Sequence, residues 1–230
     1  MDAKNFRVER ANETVRARTV DALRNAILAN HFKPGDRLLE RELCELTGVS
    51  RTSVREALRQ LETEGLVEIL VNRGPVVAVV DELAARDIFE MREAIETMAA
   101  RLFVQRASEE EHRDILAVLE KCVESARARN RQEMLDFSER FSEILFAGCK
   151  NGLFANLYKT LRARLAFLRM TMVRSQRDDE VAKSINLLNR IISAIQRRDP
   201  EAASLACAER IKDAAEVTLP KIARLTERSN

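Results

Sequence analysis

The sequence predicts a mainly α protein, an N-terminal winged helix-turn-helix followed by an all-α six- or seven-helix bundle. Three observations carry that prediction. The 230 residues hold only six Gly and four Pro, while Ala, Leu, Glu and Arg are abundant, a balance that favours helix over sheet. Gly35, Gly48, Gly65 and Gly74 fall in the first third and no glycine lies between Gly74 and Gly148, which marks a boundary near residues 78–84. Two β-rich runs around a glycine-containing turn separate two regions of helical periodicity. The domains are accordingly expected at residues 10–80 and 81–228.

Taken in order, Val20, Leu23, Ile27 and Leu28 recur at helical spacing, and Pro34-Gly35 stops that first helix in a turn. A short segment from Leu39 to Leu46 carries Leu39, Leu43 and Leu46 on one face. Thr47-Gly48-Val49 breaks it and Ser50 stands at an N-cap position. A further helix follows, with Val54, Leu58 and Leu61 inward and Gly65 at its C-terminal end. Two short helices joined by a glycine-containing turn are a helix-turn-helix signature. The run Leu66–Val71, the turn Asn72-Arg73-Gly74-Pro75 and the run Val76–Val80 then read as a hairpin, or wing.

From Asp81 onward the pattern is helix punctuated by caps. Ser108 with Glu111 and Asn130 with Glu133 have capping-box spacing, and Asp199-Pro200 offers an N-cap followed by proline at the first helical position. Six helices are expected, at residues 82–106, 109–129, 131–149, 152–174, 179–198 and 200–225, with a seventh if one of them is broken.

Composition bounds the function. With 39 Lys plus Arg against 37 Asp plus Glu, the net charge is only +2, so affinity for a polyanion has to come from a local cluster. Neither half stands out, since residues 1–80 carry 13 basic and 12 acidic side chains and residues 81–230 carry 26 and 25. No run approaches the roughly 20 apolar residues of a membrane span. The start MDAKNFRVERANETVRAR lacks the apolar stretch of a secretory signal. The expectation is a soluble, cytoplasmic protein with no membrane partner. Cys44, Cys122, Cys149 and Cys207 have no C-x-x-C spacing and lie in apolar helical patterns, where buried thiols are expected. No P-loop, G-x-S-x-G or G-x-G-x-x-G occurs and no histidine is placed to activate a cysteine in the helical half, so an enzyme is not expected. His31 belongs to the first part, and His112, which follows Glu109, Glu110 and Glu111 at a helix start, reads as solvated.

The helix that begins Ser50-Arg51-Thr52-Ser53-Val54-Arg55-Glu56 is the candidate binding element. With its apolar residues inward, Arg51 and Arg55 are four residues apart on the exposed face and Thr52 lies near the helix start. Such a helix end fits a major groove, where arginine pairs bidentately with guanine O6 and N7, and its backbone N–H groups suit a phosphate. Arg41 and Arg73 are placed to reach the flanking backbone and minor groove. The alternative is a solvated face whose arginines pair with Glu42, Glu45 and Glu56.

PGDRLLERELCELTGVSRTSVREALRQLETEGLVEILVNRG closely resembles the winged-helix domain of GntR-family bacterial transcription regulators, across roughly residues 15–80. The helical remainder resembles the effector domain of the FadR subfamily, the FCD type, through MREAIETMAARL, DFSERFSEILFAGCKNGLF and LNRIISAIQRRDPEAA. The resemblance implies phosphate and base contacts by Arg41, Arg51, Thr52, Ser53 and Arg55, with Arg73 and Gly74 at the wing tip. Ser53 stands where many members have proline. A homodimer on a short palindromic double-stranded DNA operator is also implied; its expected role is that of a repressor, with an activator as the alternative. An effector whose binding biases the spacing of the two winged helices is implied as well.

FCD domains commonly hold a divalent metal with one Asp and three His. Against that pattern this chain has Ser138 and Ser142 in the Asp-x-x-Phe-His motif, Leu188-Asn189 at the later Glu-His pair, and Arg210 at the final His. Two histidines in the whole chain exclude a three-His site, so no metal and no other cofactor are expected. A rearranged carboxylate site using Asp136 or Glu139 is the alternative. Arg210 at a ligand position, with Arg92 on the first helix of the bundle, points to a pocket in which arginine forks take the carboxylate of a small organic-acid effector. Ser138, Ser142 and Asn189 would add hydrogen bonds. The competing reading pairs Arg92 with Glu96 and sends Arg210 to solvent or another acid. That leaves a packed bundle that only oligomerises, in a constitutive DNA-binding dimer.

Overall fold

A computed structural model of the chain describes residues 13–171 and 178–227. The expected domain limits at residues 10 and 228 and the expected end of the fourth bundle helix at residue 174 lie outside them. The described residues form nine helices and one two-stranded antiparallel sheet. They divide into two compact units, one made by the chain up to Val79 together with Ala163–Met170, the other by Val80–Arg162 and the chain from Thr171.

In the first unit α1 (Glu13–Leu28), α2 (Glu40–Thr47) and α3 (Arg51–Thr63) precede a hairpin of β1 (Val67–Leu70) and β2 (Gly74–Val77). α3 packs against α1, α2 and β1. Val20, Leu23 and Ile27 are buried with Val54, Leu58 and Leu61, and each such side chain contributes about 1.5–3 kcal/mol by leaving water. α2 departs from the expected face. Leu43 is buried, whereas Leu39 and Leu46 are 39% and 71% exposed. Leu39 is the N-cap, with extended backbone, so it stands outside the helix and cannot share its inward stripe.

Gly48 ends α2 at φ 69° and donates its N–H to the Cys44 carbonyl at 2.9 Å, a left-handed conformation that a Cβ disfavours. Ser50 caps α3, its hydroxyl accepting from the Ser53 N–H at 3.2 Å. The strands pair from Val67–Val77 to Leu70–Gly74, so the hairpin turn is Val71–Arg73, starting one residue earlier and ending two earlier than the expected Asn72–Pro75. A further extended segment, absent from the sequence reading, lies along β2. Gly35 N–H donates to the Val77 carbonyl, Val77 N–H to the Asp36 carbonyl and Leu38 N–H to the Pro75 carbonyl, each at 2.9 Å.

The second unit holds α4 (Glu82–Arg106), α5 (Glu109–Arg127), α6 (Arg131–Gly148), the first part of α7 (Gly152–Thr171), α8 (Asp178–Gln196) and α9 (Pro200–Glu227). α4 packs on α9 and α6, α5 on α6 and α8, and α8 on α9. Caps set the helix starts. Ser108 and Glu111 form a full capping box, with Glu111 N–H donating to Ser108 Oγ at 3.2 Å and Ser108 N–H to Glu111 Oε2 at 2.8 Å. Asn130 makes only half of one. Its Oδ1 accepts from Glu133 N–H at 3.3 Å, while the Glu133 carboxylate accepts instead from Ser125 Oγ at 3.3 Å. The core between helices holds Phe103, Ile115, Leu119, Phe141 and Leu145, and Phe146 stacks on Tyr158 at 4.4 Å between ring centroids.

Where α6 ends against α4 there is no room for a side chain at Gly148. A Cβ there would lie 2.5 Å from Cδ2 and Cε2 of the fully buried Phe103 ring, which would have to shift inside a close-packed core. Gly148→Ala is expected to lower stability by about 1–3 kcal/mol, although alanine is the better helix former. Urea unfolding should show a lower midpoint at unchanged slope; an equal or higher midpoint would mean that this packing yields freely.

Candidate nucleic-acid interface and buried charge centre

Helical phase gives α3 two faces. Val54, Ala57, Leu58 and Leu61 are buried, Arg51, Thr52 and Arg55 are exposed, and Ser53 is half-buried. Ser53 Oγ lies 3.0 Å from Ser50 Oγ, so this hydroxyl belongs to the cap as well as to the surface. Arg55 is held in place, because its Nε donates to Glu40 Oε1 at 2.7 Å. That hydrogen bond, reinforced by the carboxylate charge, raises the Arg55 pKa above its ordinary value. Arg41 projects from α2 with its side chain 76% exposed and approaches Glu45 only to 3.9 Å, an exposed pairing that contributes little. Glu56 pairs with Arg16 and Arg59 rather than with Arg51 or Arg55. The acid that does hold Arg55, Glu40, is not among those expected, and fifteen residues of separation put it beyond any helical spacing.

On the hairpin, Arg73 is exposed, and Asn72 (φ 67°) and Gly74 (φ 76°) both take left-handed backbone. The structure thus puts Arg51, Thr52 and Arg55 on the exposed side of α3, Arg41 on the exposed side of α2, Arg73 in the hairpin turn and Gly74 at the start of β2.

A second constellation lies inside the helical unit. Glu96 on α4, its side chain 2% exposed, accepts from Arg92 Nε at 2.8 Å and from Arg210 Nη2 on α9 at 3.1 Å. Burial pushes the Glu96 carboxyl up, but the charges of Arg92 and Arg210 outweigh it and hold the group at about 2. For Arg210, burial opposes the charge, and Glu96 overcomes it to keep the guanidinium above its ordinary pKa. The Arg210 guanidinium lies over the Phe141 ring, 5.2 Å from its centroid, and its buried Nε has no hydrogen-bond partner among the described residues. Ser138 and Ser142 are buried nearby, Ser142 Oγ donating to the Ser138 carbonyl at 3.2 Å. Burial raises the thiols of Cys122 and Cys207, the latter to about 12, so neither is a nucleophile at neutral pH.

Two expectations are corrected here. Asn189 is exposed on α8, whose inward stripe is Leu187, Leu188, Ile191, Ala194 and Ile195; it does not join the buried group. His112 is 2% exposed, not solvated. Its ring lies 4.9 Å from that of Phe103, and Nδ1 is 2.9 Å from the Ser108 carbonyl. The three glutamates occupy the outer side of the first turn, and the next residue turns inward with Ile115 and Leu119. Of the two acids considered for a rearranged metal site, Asp136 is exposed and accepts from Gln132 Nε2 at 2.9 Å, and Glu139 pairs with Arg162.

Comparison with known proteins agrees with both halves. The family described as "Bacterial regulatory proteins, gntR family" matches residues 15–77, and the FCD domain matches residues 87–213. The chain belongs to the GntR family of bacterial regulators. It is 33% identical over 150 residues to the Nta operon transcriptional regulator of Aminobacter aminovorans, spanning 64% of this chain and 70% of that one. To the HTH-type transcriptional repressor GlaR of Escherichia coli it is 28% identical over 162 residues, 66% and 73% of the two chains. The solved structure of E. coli McbR/YncC has the same fold, with a TM-score of 0.74 at 19% identity over 90% of this chain and 97% of that one. This GntR protein is therefore a DNA-binding transcription regulator with an FCD domain, and not an enzyme.

The metal that the FCD resemblance implies does not fit this member of the GntR family. Ser142 spends its hydroxyl proton on a backbone carbonyl, Asn189 is exposed, and Arg210 places a cation where a histidine ligand is expected. A divalent ion beside that guanidinium would meet like charge in a low-dielectric interior. Among the described residues no group of three or more His, Cys, Asp or Glu side chains is arranged to hold an ion.

Charge balance in this GntR regulator's helical unit rests on Glu96. Glu96→Gln leaves two buried guanidiniums without a counter-charge and is expected to cost about 3–5 kcal/mol at neutral pH. The carboxyl sits at about 2 in the fold against an ordinary 4.5. Its stabilisation is therefore complete above pH 4.5 and is lost as pH falls towards 2. Urea unfolding at neutral pH and near pH ~3 should show the gap between wild type and Glu96→Gln narrowing in acid. Equal stability at neutral pH would mean that the ion triad is not needed.

Proposed function

We propose that this regulator is a cytoplasmic homodimeric repressor that reads a short palindromic operator through α3 and responds to a small organic acid. The observation that carries the DNA reading is the exposed face of α3, where Arg51 and Arg55 stand one turn apart over a buried apolar face. In this reading the two arginines contact base edges. Arg41, Thr52 and Ser53 position the helix on the phosphates, and Arg73 with Gly74 reach the flanking minor groove. A two-fold dimer presents two such helices to half-sites spaced by whole helical turns of about 34–36 Å. The repressor sign is supported by the relative GlaR, which is named a repressor. Arg51→Ala or Arg55→Ala is expected to cost about 1–3 kcal/mol per half-site and to relax base preference. Mobility shifts on a duplex that the wild-type protein selects from a random library test this, and wild-type binding by both variants would exclude α3 as the recognition helix.

The effector reading is supported by the charge count at the buried centre. Among the described residues Arg92 and Arg210 share one carboxylate, leaving one positive charge uncompensated, and Arg210 Nε lacks a partner there. A monocarboxylate matches that charge and the guanidinium fork, with Ser138 as a neighbouring hydrogen-bond partner; Ser142 can donate to it only by releasing the Ser138 carbonyl. Its binding shifts the dimer population by its differential affinity for the two states. One observation favours a second reading: Glu96 already gives both arginines an acid, which suits a helical unit that only oligomerises beneath constitutive DNA binding. A thermal-shift screen of small organic acids, with and without chelator, separates the two. Stabilisation by a monocarboxylate that chelator leaves unchanged supports the effector, no stabilisation by any acid supports the second reading, and chelator-sensitive stabilisation overturns a metal-free site.

A further inference from the structure

We infer that Glu40 is a positioning residue for base recognition: its carboxylate holds Arg55 through Nε and leaves the terminal amino groups of the fork aligned for a guanine edge. The inference rests on the recognition role proposed above for α3. Glu40 is the first residue of α2, where the free backbone N–H groups of a helix start favour a carboxylate. Its side chain is 30% exposed against 63% for Arg55, so the acid is the anchored partner and the arginine leans over it towards solvent.

The 2.7 Å bond to Glu40 is Arg55's one hydrogen bond among the described residues, and it uses Nε alone. A guanidinium carries five donors in a rigid plane. Holding Nε restrains that plane and leaves Nη1 and Nη2 as the parallel pair that guanine O6 and N7 require. A long side chain already held in its bound geometry loses less rotamer freedom when DNA arrives. Arg51 has no ion pair among the described residues, and Arg41 approaches its acid only to 3.9 Å. Arg55 is thus the one of these three that another helix holds by a short bond.

A carboxylate on a DNA-facing surface also repels phosphate, so removing it strengthens sequence-independent binding while weakening the base contact. Affinity alone mixes these effects, and their ratio does not. The test uses full-length protein, the duplex selected by wild type from a random library, and a scrambled duplex of equal composition. Glu40→Ala should lower the ratio of the two affinities about tenfold, the scale of one bidentate base contact. Glu40→Gln, which keeps an acceptor for Nε, should lower it less. Glu40→Ala in an Arg55→Ala background should lower it no further than Arg55→Ala alone. Melting temperatures should stay close to wild type; should Glu40→Ala disturb α2, Glu40→Gln carries the comparison. The proposal is overturned if Glu40→Ala leaves the ratio unchanged or raises it, or lowers it equally without Arg55. If Arg55→Ala itself leaves the ratio at the wild-type value, the recognition reading beneath the proposal has failed instead.

Discussion

A carboxylate taken out of water has to be held by groups that replace its hydration, and in the helical unit that constraint falls on Glu96. Its two partners come from different helices, Arg92 one turn earlier on α4 and Arg210 from α9. Around it α4 and α9 bury small residues, Ala99, Ala100, Ala203 and Ala206, together with larger ones such as Ile95, Phe103 and Ile211. Alanines let two helices approach closely but give them little shape by which to resist sliding. The ion triad supplies what they lack. Moving α9 by one residue along α4 would carry Arg210 away from Glu96 and strand buried charges, a far larger penalty than any shift of methyl contacts. Phe141 closes the arrangement from α6, since its ring face is the surface on which the guanidinium lies.

The first unit solves the opposite problem, keeping charge available at the surface of a nearly neutral chain. Screening confines the influence of each exposed charge to about 10 Å, so the arginines around α3 act through proximity rather than through overall basicity. Several are partnered, Arg41 with Glu45 and Arg59 with Glu56. Exposed pairs of this kind stabilise the fold by about 0–1 kcal/mol, and a phosphate can take the place of the acid at small cost. The fold of the unit depends on the apolar side of α3 and is insensitive to what its outer side contacts. This separation lets one short helix serve both core and surface.

Features settled by local chemistry were legible in the sequence. Ser50 and the Ser108–Glu111 box start helices where their side chains can cap, Gly48 stops one, and the six bundle helices follow the 3.6-residue period between such signals. Features settled by what arrives from elsewhere were not. The pair Arg92–Glu96 was legible as the competing reading, but its burial was not, since it has the same four-residue spacing as the exposed pair Glu82–Arg86 on the same helix. Only the approach of Arg210, 114 residues further on, distinguishes them. His112 was misjudged because it follows three glutamates, and a 100° step per residue places adjacent side chains on different faces; Asn189 was placed inward only by the resemblance to a ligand motif, and the phase of α8 turns it outward. The extended segment at Asp36–Leu38 has a single apolar residue and no period to detect. Its hydrogen bonds to β2 are a tertiary fact.

A buried arginine and a metal ion impose opposite chemistry on their surroundings. A metal centre is positive and needs acceptors that lose protons to bind, so its occupancy changes with pH and with ion supply. In this chain the positive centre is part of the polypeptide. Arg210 stays charged at every physiological pH, and the acceptor that balances it, Glu96, is protonated only near pH 2. The buried side chains Ser138, Ser142, Cys122 and Cys207 are uncharged at neutral pH, so they add nothing to the charge balance of the two arginines and Glu96 among the described residues. The centre therefore keeps a constant charge over the whole neutral range. Anything that binds there has to be recognised by its own charge and shape rather than through a titrating or exchangeable ion.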